Sequence, residues 1–123
     1  MHSFTELEAW KKSRLLRIDV SKLCKSFPAD EKYRLCDQII RSSRSIGNNI
    51  AEGHGRFHFK DASKFLVNAR VSATETIDHL IIALDEGYIS QEQFHAYKSQ
   101  TEECLKLING FIKYLKSQLE PSG

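Results

Sequence analysis

The last third of this chain repeats apolar or small residues at alternating steps of three and four, the spacing of one face of an α-helix. The run is unbroken from residue 94 to residue 115 and consists of Phe94, Tyr97, Thr101, Cys104, Ile108, Phe111 and Leu115. Only two prolines and six glycines occur among 123 residues, which also favours long helices over a sandwich of short strands. A helix with one apolar stripe needs other helices to cover it.

Three further segments have the same period. They are predicted as helices from about Thr5 to Ser26, from near Asp30 or Glu31 through the middle of the chain, and from about Lys60 to Glu86. Thr5 with Glu8, and Ser90 with Gln93, fit capping boxes, while Pro28 and Gly87 stop helices. Four amphipathic helices with short loops predict one all-α domain over residues 1–123, an antiparallel up-down-up-down four-helix bundle.

A second architecture fits the same pattern, namely a pair of helical hairpins that complete their core only in an oligomer. Residues 77–84 are apolar on more than one side of their helix, which predicts a homo-oligomer that covers the second side.

The stretch Arg41–Arg56, RSSRSIGNNIAEGHGR, concentrates the unusual residues. Small Ser43 and Gly47 on its apolar face would let another helix approach closely. Gly53 and Gly55 are predicted to end the helix through the left-handed conformation that glycine tolerates. Two phenylalanines in the following loop, Phe57 and Phe59, are expected to pack against another surface, such as that of a second subunit.

Charge is divided between the two halves of the chain. Residues 1–60 hold twelve Lys and Arg against seven Asp and Glu, whereas residues 61–123 hold six against nine. One polar stripe of the second helix carries Arg34, Gln38, Arg41, Ser45 and Asn48, with Arg44 beside it. It is either a solvated face, with Asp37 and Arg41 paired, or a surface that binds nucleic acid.

Several protein classes are disfavoured by composition. Three widely spaced cysteines, Cys24, Cys36 and Cys104, indicate reduced core residues in a cytoplasmic protein. The charged N-terminus lacks the apolar region of a signal peptide, and no apolar run is long enough to span a membrane. A di-iron site would need repeated Glu-x-x-His pairs that face inward, whereas Glu75-x-x-Asp78-His79 has no second copy, so no metal or other cofactor is expected.

Glu52, His54 and Arg56 place an acid, a base and a cation within five residues, a combination that could in principle cleave RNA by general acid–base chemistry. A structural pairing of Arg56 with Glu52 is the stronger interpretation, so the chain is predicted to be no enzyme. Nucleic-acid binding is preferred, through the basic residues of helices 1 and 2. No RNA-recognition signature or aromatic platform is predicted, so contact would depend on shape and charge.

These residues resemble the four-helix bundle family encoded in intervening sequences of 23S rRNA genes, also called the S23 ribosomal protein family. The central match is Ser45–Arg56, SIGNNIAEGHGR. Further matches are Phe4-x-x-Leu7, Trp10-Lys11-Lys12, Phe27-Pro28, Glu31-x-Tyr33-x-Leu35, Gln38, Phe65-Leu66 and Gly87-Tyr88-Ile89. The chain departs from the family at Gly47, where proline is usual, and at His58 and Asp61, where serine and glutamate are usual.

The resemblance implies a non-catalytic bundle that assembles as a homopentameric ring. The family is also similar in fold to the accessory proteins of diversity-generating retroelements. This similarity implies RNA, a ribonucleoprotein or a reverse transcriptase as partner. The candidate nucleic-acid contacts are Lys11, Lys12, Arg14, Arg34, Arg41, Arg44 and Arg56. The motif positions expected to be structural are Trp10, Pro28, Asn49, Glu52, Gly53, Gly55 and Arg56. The rival interpretation is a protein-interaction scaffold without affinity for nucleic acid.

Overall fold

The computed structural model describes residues 3–119 and contains four long helices. They are α1 (Glu8–Cys24), α2 (Leu35–His54), α3 (Phe59–Asp85) and α4 (Gln91–Leu119), with 3-10 turns at Phe4–Glu6 and Ala29–Glu31. Each long helix packs against two others, in the cyclic order α1, α2, α3, α4. The predicted all-α four-helix bundle is therefore confirmed.

The core is formed by the stripes that the helical period indicated. Leu16 and Val20 of α1, and Ile39, Ile46 and Ile50 of α2, are fully buried. The α3 stripe, with its alanines, and the α4 stripe complete the same cluster. Burial of each large aliphatic side chain contributes about 1.5–3 kcal/mol, so this one cluster supplies most of the stabilising energy.

Helix α1 approaches α2 closely at Gly47. A β-carbon placed at Gly47 would lie 3.0 Å from the hydroxyl oxygen of Ser13 and 3.5 Å from Nε1 of Trp10. The ring of Trp10 also packs edge-on against Phe4, with centroids 5.2 Å apart. A side chain at this position would crowd Ser13, and α2 continues through Gly47 from Leu35 to His54.

The end of α3 and the start of α4 match the prediction. Gly87 has a φ of 77°, the left-handed conformation that closes a helix. In the capping box, the Gln93 N–H donates to the Ser90 hydroxyl at 3.1 Å, and the Ser90 N–H donates to Oε1 of Gln93 at 2.9 Å.

Two predicted helix starts were wrong. Thr5 and Glu8 form no capping box, because a 3-10 turn precedes α1 and the Ser3 hydroxyl accepts the Thr5 N–H at 3.2 Å. Helix α2 begins at Leu35 and not at Asp30 or Glu31, which lie in the second 3-10 turn. The Glu31 carboxylate still serves α2, since it accepts the Leu35 N–H at 3.4 Å.

The end of α2 was predicted correctly only in part, since Gly55 follows the helix as expected but neither Gly53 nor Gly55 is left-handed. Gly53 lies inside the helix and is buried, and Gly55 follows the helix with a φ of −78°. A β-carbon at Gly53 would lie 3.1 Å from the backbone carbonyl oxygen of Ala62 in α3. Gly53 therefore permits the close approach of α3 and does not end α2.

Candidate nucleic-acid interface

Two of the predicted cations, Arg41 and Arg44, project from the outer face of α2, and Arg34 immediately precedes that helix. All three are exposed, and helical spacing places Arg41 and Arg44 on the side opposite the buried isoleucines. Arg34 lies 3.8 Å from Glu31, and Arg41 lies 3.1 Å from Asp37, which confirms the predicted i,i+4 pair. Within residues 3–119 Arg44 makes no ion pair, so its charge faces solvent without local compensation.

A polar groove of about 450 Å³ runs between α2 and α3 beside Arg41. Its lining residues are polar or charged and comprise Gln38, Arg41, Ser42, Ser45, Ser72, Glu75 and His79. Nδ1 of His79 is buried there without a hydrogen-bond partner. Arg41 can donate hydrogen bonds from this groove to an anionic ligand, while Glu75 contributes the opposing charge.

Hydroxyl pairs join α2 to α3 beneath this groove. The Ser42 and Thr76 hydroxyl oxygens are 2.8 Å apart, and Ser72 donates to Ser45 at 2.8 Å. The Asn49 side-chain amide also donates to the Ser45 hydroxyl, at 3.0 Å. Ser45 was predicted on the exposed stripe, but it is half-buried because it faces α3. Asn49, a motif residue, therefore bonds within α2 to the serine that accepts the hydrogen bond from Ser72 of α3.

A second groove, of about 760 Å³, lies at the C-terminal end of α2. It is lined by Phe4, Asn48, Ala51, Glu52, Gly55 and Arg56. Nη2 of Arg56 pairs with Oε2 of Glu52 at 3.1 Å, and its guanidinium lies 4.4 Å from the ring centroid of Phe65. The predicted Glu52–Arg56 pairing is confirmed, and stacking on Phe65 fixes the position of this cation.

The cations of α1 are arranged differently. Lys11 pairs with Glu8 at 3.6 Å, and Lys12 reaches α4 to pair with Glu103 at 3.1 Å. Arg14 is exposed and has no ion pair in the described part of the chain. The structure therefore does not gather the seven predicted cations into one patch, because Lys12 is directed towards α4.

Pro28 occupies the turn between α1 and α2, where the Glu31 N–H donates to its carbonyl at 3.0 Å. In the same region, Tyr88 donates a hydrogen bond of 2.6 Å to Oε2 of Glu31. This bond lowers the pKa of Glu31, and it raises the pKa of Tyr88 to about 12. Sequence reasoning missed the pair, because the residues lie 57 positions apart and no periodic signal links them.

No nucleophile or metal cluster emerges from the described residues. All three cysteines are free and buried, as expected, and burial raises the pKa of Cys24 and Cys104 to about 12. Their thiols are therefore protonated at neutral pH. Within residues 3–119 no three potential metal ligands lie together, and no helix there is long and apolar enough to cross a membrane.

The fold and these surfaces define a four-helix bundle protein with a polar, partly basic outer face on α2. Over residues 5–110 the chain matches the family described as 23S rRNA-intervening sequence protein, and it belongs to that family. A solved structure from Bacteroides thetaiotaomicron VPI-5482, described as a protein with unknown function from the S23 ribosomal protein family, is 29% identical. That match has a TM-score of 0.80 and covers 85% of this chain and 95% of the other. No curated protein matches.

Proposed function

We propose that this protein is a non-catalytic, nucleic-acid-binding bundle that acts as a homopentamer, with structured RNA or a ribonucleoprotein as its ligand. The observation that carries the proposal is the outer face of α2 and its start, where Arg34, Arg41 and Arg44 are exposed and Arg41 lines a polar groove. Family membership supports a connection with rRNA genes. A reverse transcriptase is a further candidate partner, on the basis of resemblance alone.

The net positive charge that one protomer presents near α2 is modest, because Arg34 and Arg41 each lie beside a carboxylate. An exposed ion pair is worth only about 0–1 kcal/mol, so a phosphate can replace the carboxylate at little cost. Repetition of the α2 face around a ring would multiply the phosphate contacts, and affinity rises steeply with their number. The exposed apolar residues Val71, Ile81 and Ile82 on α3 give such a ring a surface to bury.

The direct test exchanges charge on α2. A variant with Arg41→Glu and Arg44→Glu should lose RNA binding at about 50 mM salt, because two attractive contacts per protomer become repulsive. Fluorescence anisotropy with a labelled RNA hairpin measures the affinity, and light scattering checks that the mass is unchanged.

The matched control carries Lys106→Glu and Lys113→Glu, the same charge change at exposed positions of α4. We expect it to bind RNA within about threefold of wild type, allowing for the general effect of net charge. Equal affinity of the α2 variant and wild type would reject the outer face of α2 as the binding surface.

A protein-interaction scaffold is the second candidate, and the exposed apolar side chains of α3 favour it. Partners that remain bound after nuclease treatment and in about 0.5 M salt would support the scaffold, because phosphate contacts are screened at that ionic strength.

A further inference from the structure

The loop between α2 and α3 displays aromatic rings to solvent. Phe57 is 94% exposed, and Phe59, the first residue of α3, is 42% exposed. The sequence predicts that these rings pack against another surface, and residues 3–119 of this chain leave Phe57 uncovered. Such exposure is unusual for phenylalanine, which is among the residues most often buried. The two rings flank His58, which is also exposed and lies edge-on to Phe57 with ring centroids 5.4 Å apart.

Positive charge surrounds these rings. Arg56 precedes Phe57 and is held in place by its contacts with Glu52 and Phe65. Lys60 and Lys64 are exposed, and neither forms an ion pair within residues 3–119. Asp61 is the one acidic residue between positions 54 and 64. The loop thus alternates cations with flat apolar faces.

The first turn of α3 adds hydrogen-bond donors at the same place. His58 precedes the helix, and no side chain caps its backbone N–H groups. Uncapped N–H groups at a helix start favour an anion such as a phosphate. A hollow of about 530 Å³ lies there, lined by Phe57, His58, Phe59, Lys60 and Asp61.

We infer that Phe57 and Phe59 form a stacking platform for unpaired bases of single-stranded nucleic acid, with Arg56, Lys60 and the start of α3 holding the phosphates. The inference rests on the proposed function and extends the α2 surface to its C-terminal end, where Arg56 belongs to both. Bases stack on aromatic rings in proteins that bind single strands, beside grooves of positive charge.

A second copy of this chain is the alternative partner that could cover Phe57 and Phe59. The centre of a subunit interface is depleted in charged residues. Phe57, in contrast, has Arg56, His58 and Lys60 within three positions and lies in a loop at one end of the bundle. Charge complementarity therefore favours a nucleic-acid strand.

The test compares single-stranded oligouridine of about 12 nucleotides with a blunt RNA duplex of equal length, by anisotropy at about 50 mM salt. Phe57→Leu keeps an apolar side chain but removes the ring. It should weaken single-strand binding by about 5- to 100-fold and leave duplex binding unchanged. Phe57→Trp should restore single-strand affinity, and stacking should quench its fluorescence on titration.

Tyr114 provides the matched control, since it is an aromatic residue 57% exposed on α4. Tyr114→Leu should leave single-strand affinity unchanged, and Tyr114→Trp should show no quenching. Unchanged single-strand affinity in Phe57→Leu, with duplex binding retained, would overturn the platform and leave the proposed function standing. Loss of assembly in Phe57→Leu, seen by light scattering, would assign the loop to a subunit contact. A wild-type protein that binds neither RNA would overturn the proposed function itself.

Discussion

At the scale of single residues, Glu31 connects the two loops at one end of the bundle. It accepts hydrogen bonds from the Tyr88 hydroxyl and from the Leu35 backbone N–H. The hydrogen bond from Tyr88 is the main cause of the lowered pKa of Glu31, so the folded state prefers the ionised carboxylate. Its contribution to stability is therefore present above the ordinary pKa of about 4.5 and is lost as pH falls through the folded pKa.

We expect Glu31→Gln to lower the melting temperature at pH 7, because the amide is a weaker acceptor than the carboxylate. The difference from wild type should shrink as pH falls from 4.5 through the lowered pKa of the folded carboxyl, below which the wild-type side chain is protonated as well. Circular dichroism melts at several pH values measure this. Glu102→Gln, at an exposed position of α4, is the control. A difference that stays constant down to pH 3 would contradict a role for the ionised carboxylate.

Tyr88 contributes to the pH dependence at the basic end, together with buried Cys24 and Cys104, because its pKa is raised to about 12 by the same hydrogen bond. Between about pH 10 and 12 the unfolded chain loses the phenolic proton while the folded chain keeps it. Stability should therefore decline across that interval.

The hydrogen bond between Tyr88 and Glu31 could not be predicted from the sequence. Intrahelical pairs such as Asp37–Arg41 and Glu52–Arg56 were predicted, because their spacing is fixed by the helix itself. Contacts between helices, such as Lys12–Glu103, depend on the relative translation and rotation of two elements. The periodicity of one helix does not contain that information.

At the scale of elements, the closeness of α2 and α3 depends on Gly53. A methyl group there would meet the Ala62 carbonyl oxygen at 3.1 Å, and a backbone atom cannot move aside as a flexible side chain can. Gly110 in α4 is the opposite case, since a β-carbon there would have no neighbour within 4 Å.

The two glycines should therefore respond oppositely to alanine. Gly110→Ala should raise the free energy of unfolding by about 1 kcal/mol through helix propensity. Gly53→Ala gains the same propensity but must displace α3, so we expect a net loss of about 1 kcal/mol. Urea unfolding followed by circular dichroism gives both values. Equal stabilisation by both substitutions would show that α3 adapts without cost.

The four helices and their buried faces could be predicted because apolar spacing reports directly on helical period. The starts of α1 and α2 could not, since 3-10 turns precede both and acidic residues occur in each turn. Gly53 was assigned to a helix end for a related reason. Glycine marks both helix ends and close contacts, and only the position of α3 distinguishes them.

At the scale of the whole molecule, exposed cations and exposed apolar side chains occur on neighbouring helices. Arg41 and Arg44 are exposed on α2, whereas Val71, Ile81 and Ile82 are exposed on α3. Neither the function nor the number of subunits follows from the helical pattern. Helical periodicity identifies which residues are buried, but it does not identify what an exposed residue binds.

The dependence of RNA affinity on salt distinguishes one protomer from a ring. For single-stranded regions, the logarithm of the association constant falls with a slope of about −0.7 per neutralised phosphate. Arg34, Arg41 and Arg44 of one protomer could therefore account for a slope of about −2. If several protomers bind one RNA, the slope for wild type should be steeper than about −3.

Anisotropy titrations between about 50 and 300 mM salt measure this slope, with light scattering in the same buffers to confirm constant mass. Replacing Arg44 alone by glutamine should make the slope shallower by about 0.7 for each protomer in contact, which counts the protomers that bind. Lys113→Gln on α4 should leave the slope unchanged. A wild-type slope near −2 in a protein of pentameric mass would mean that one protomer binds at a time, and that assembly contributes to affinity only through local concentration.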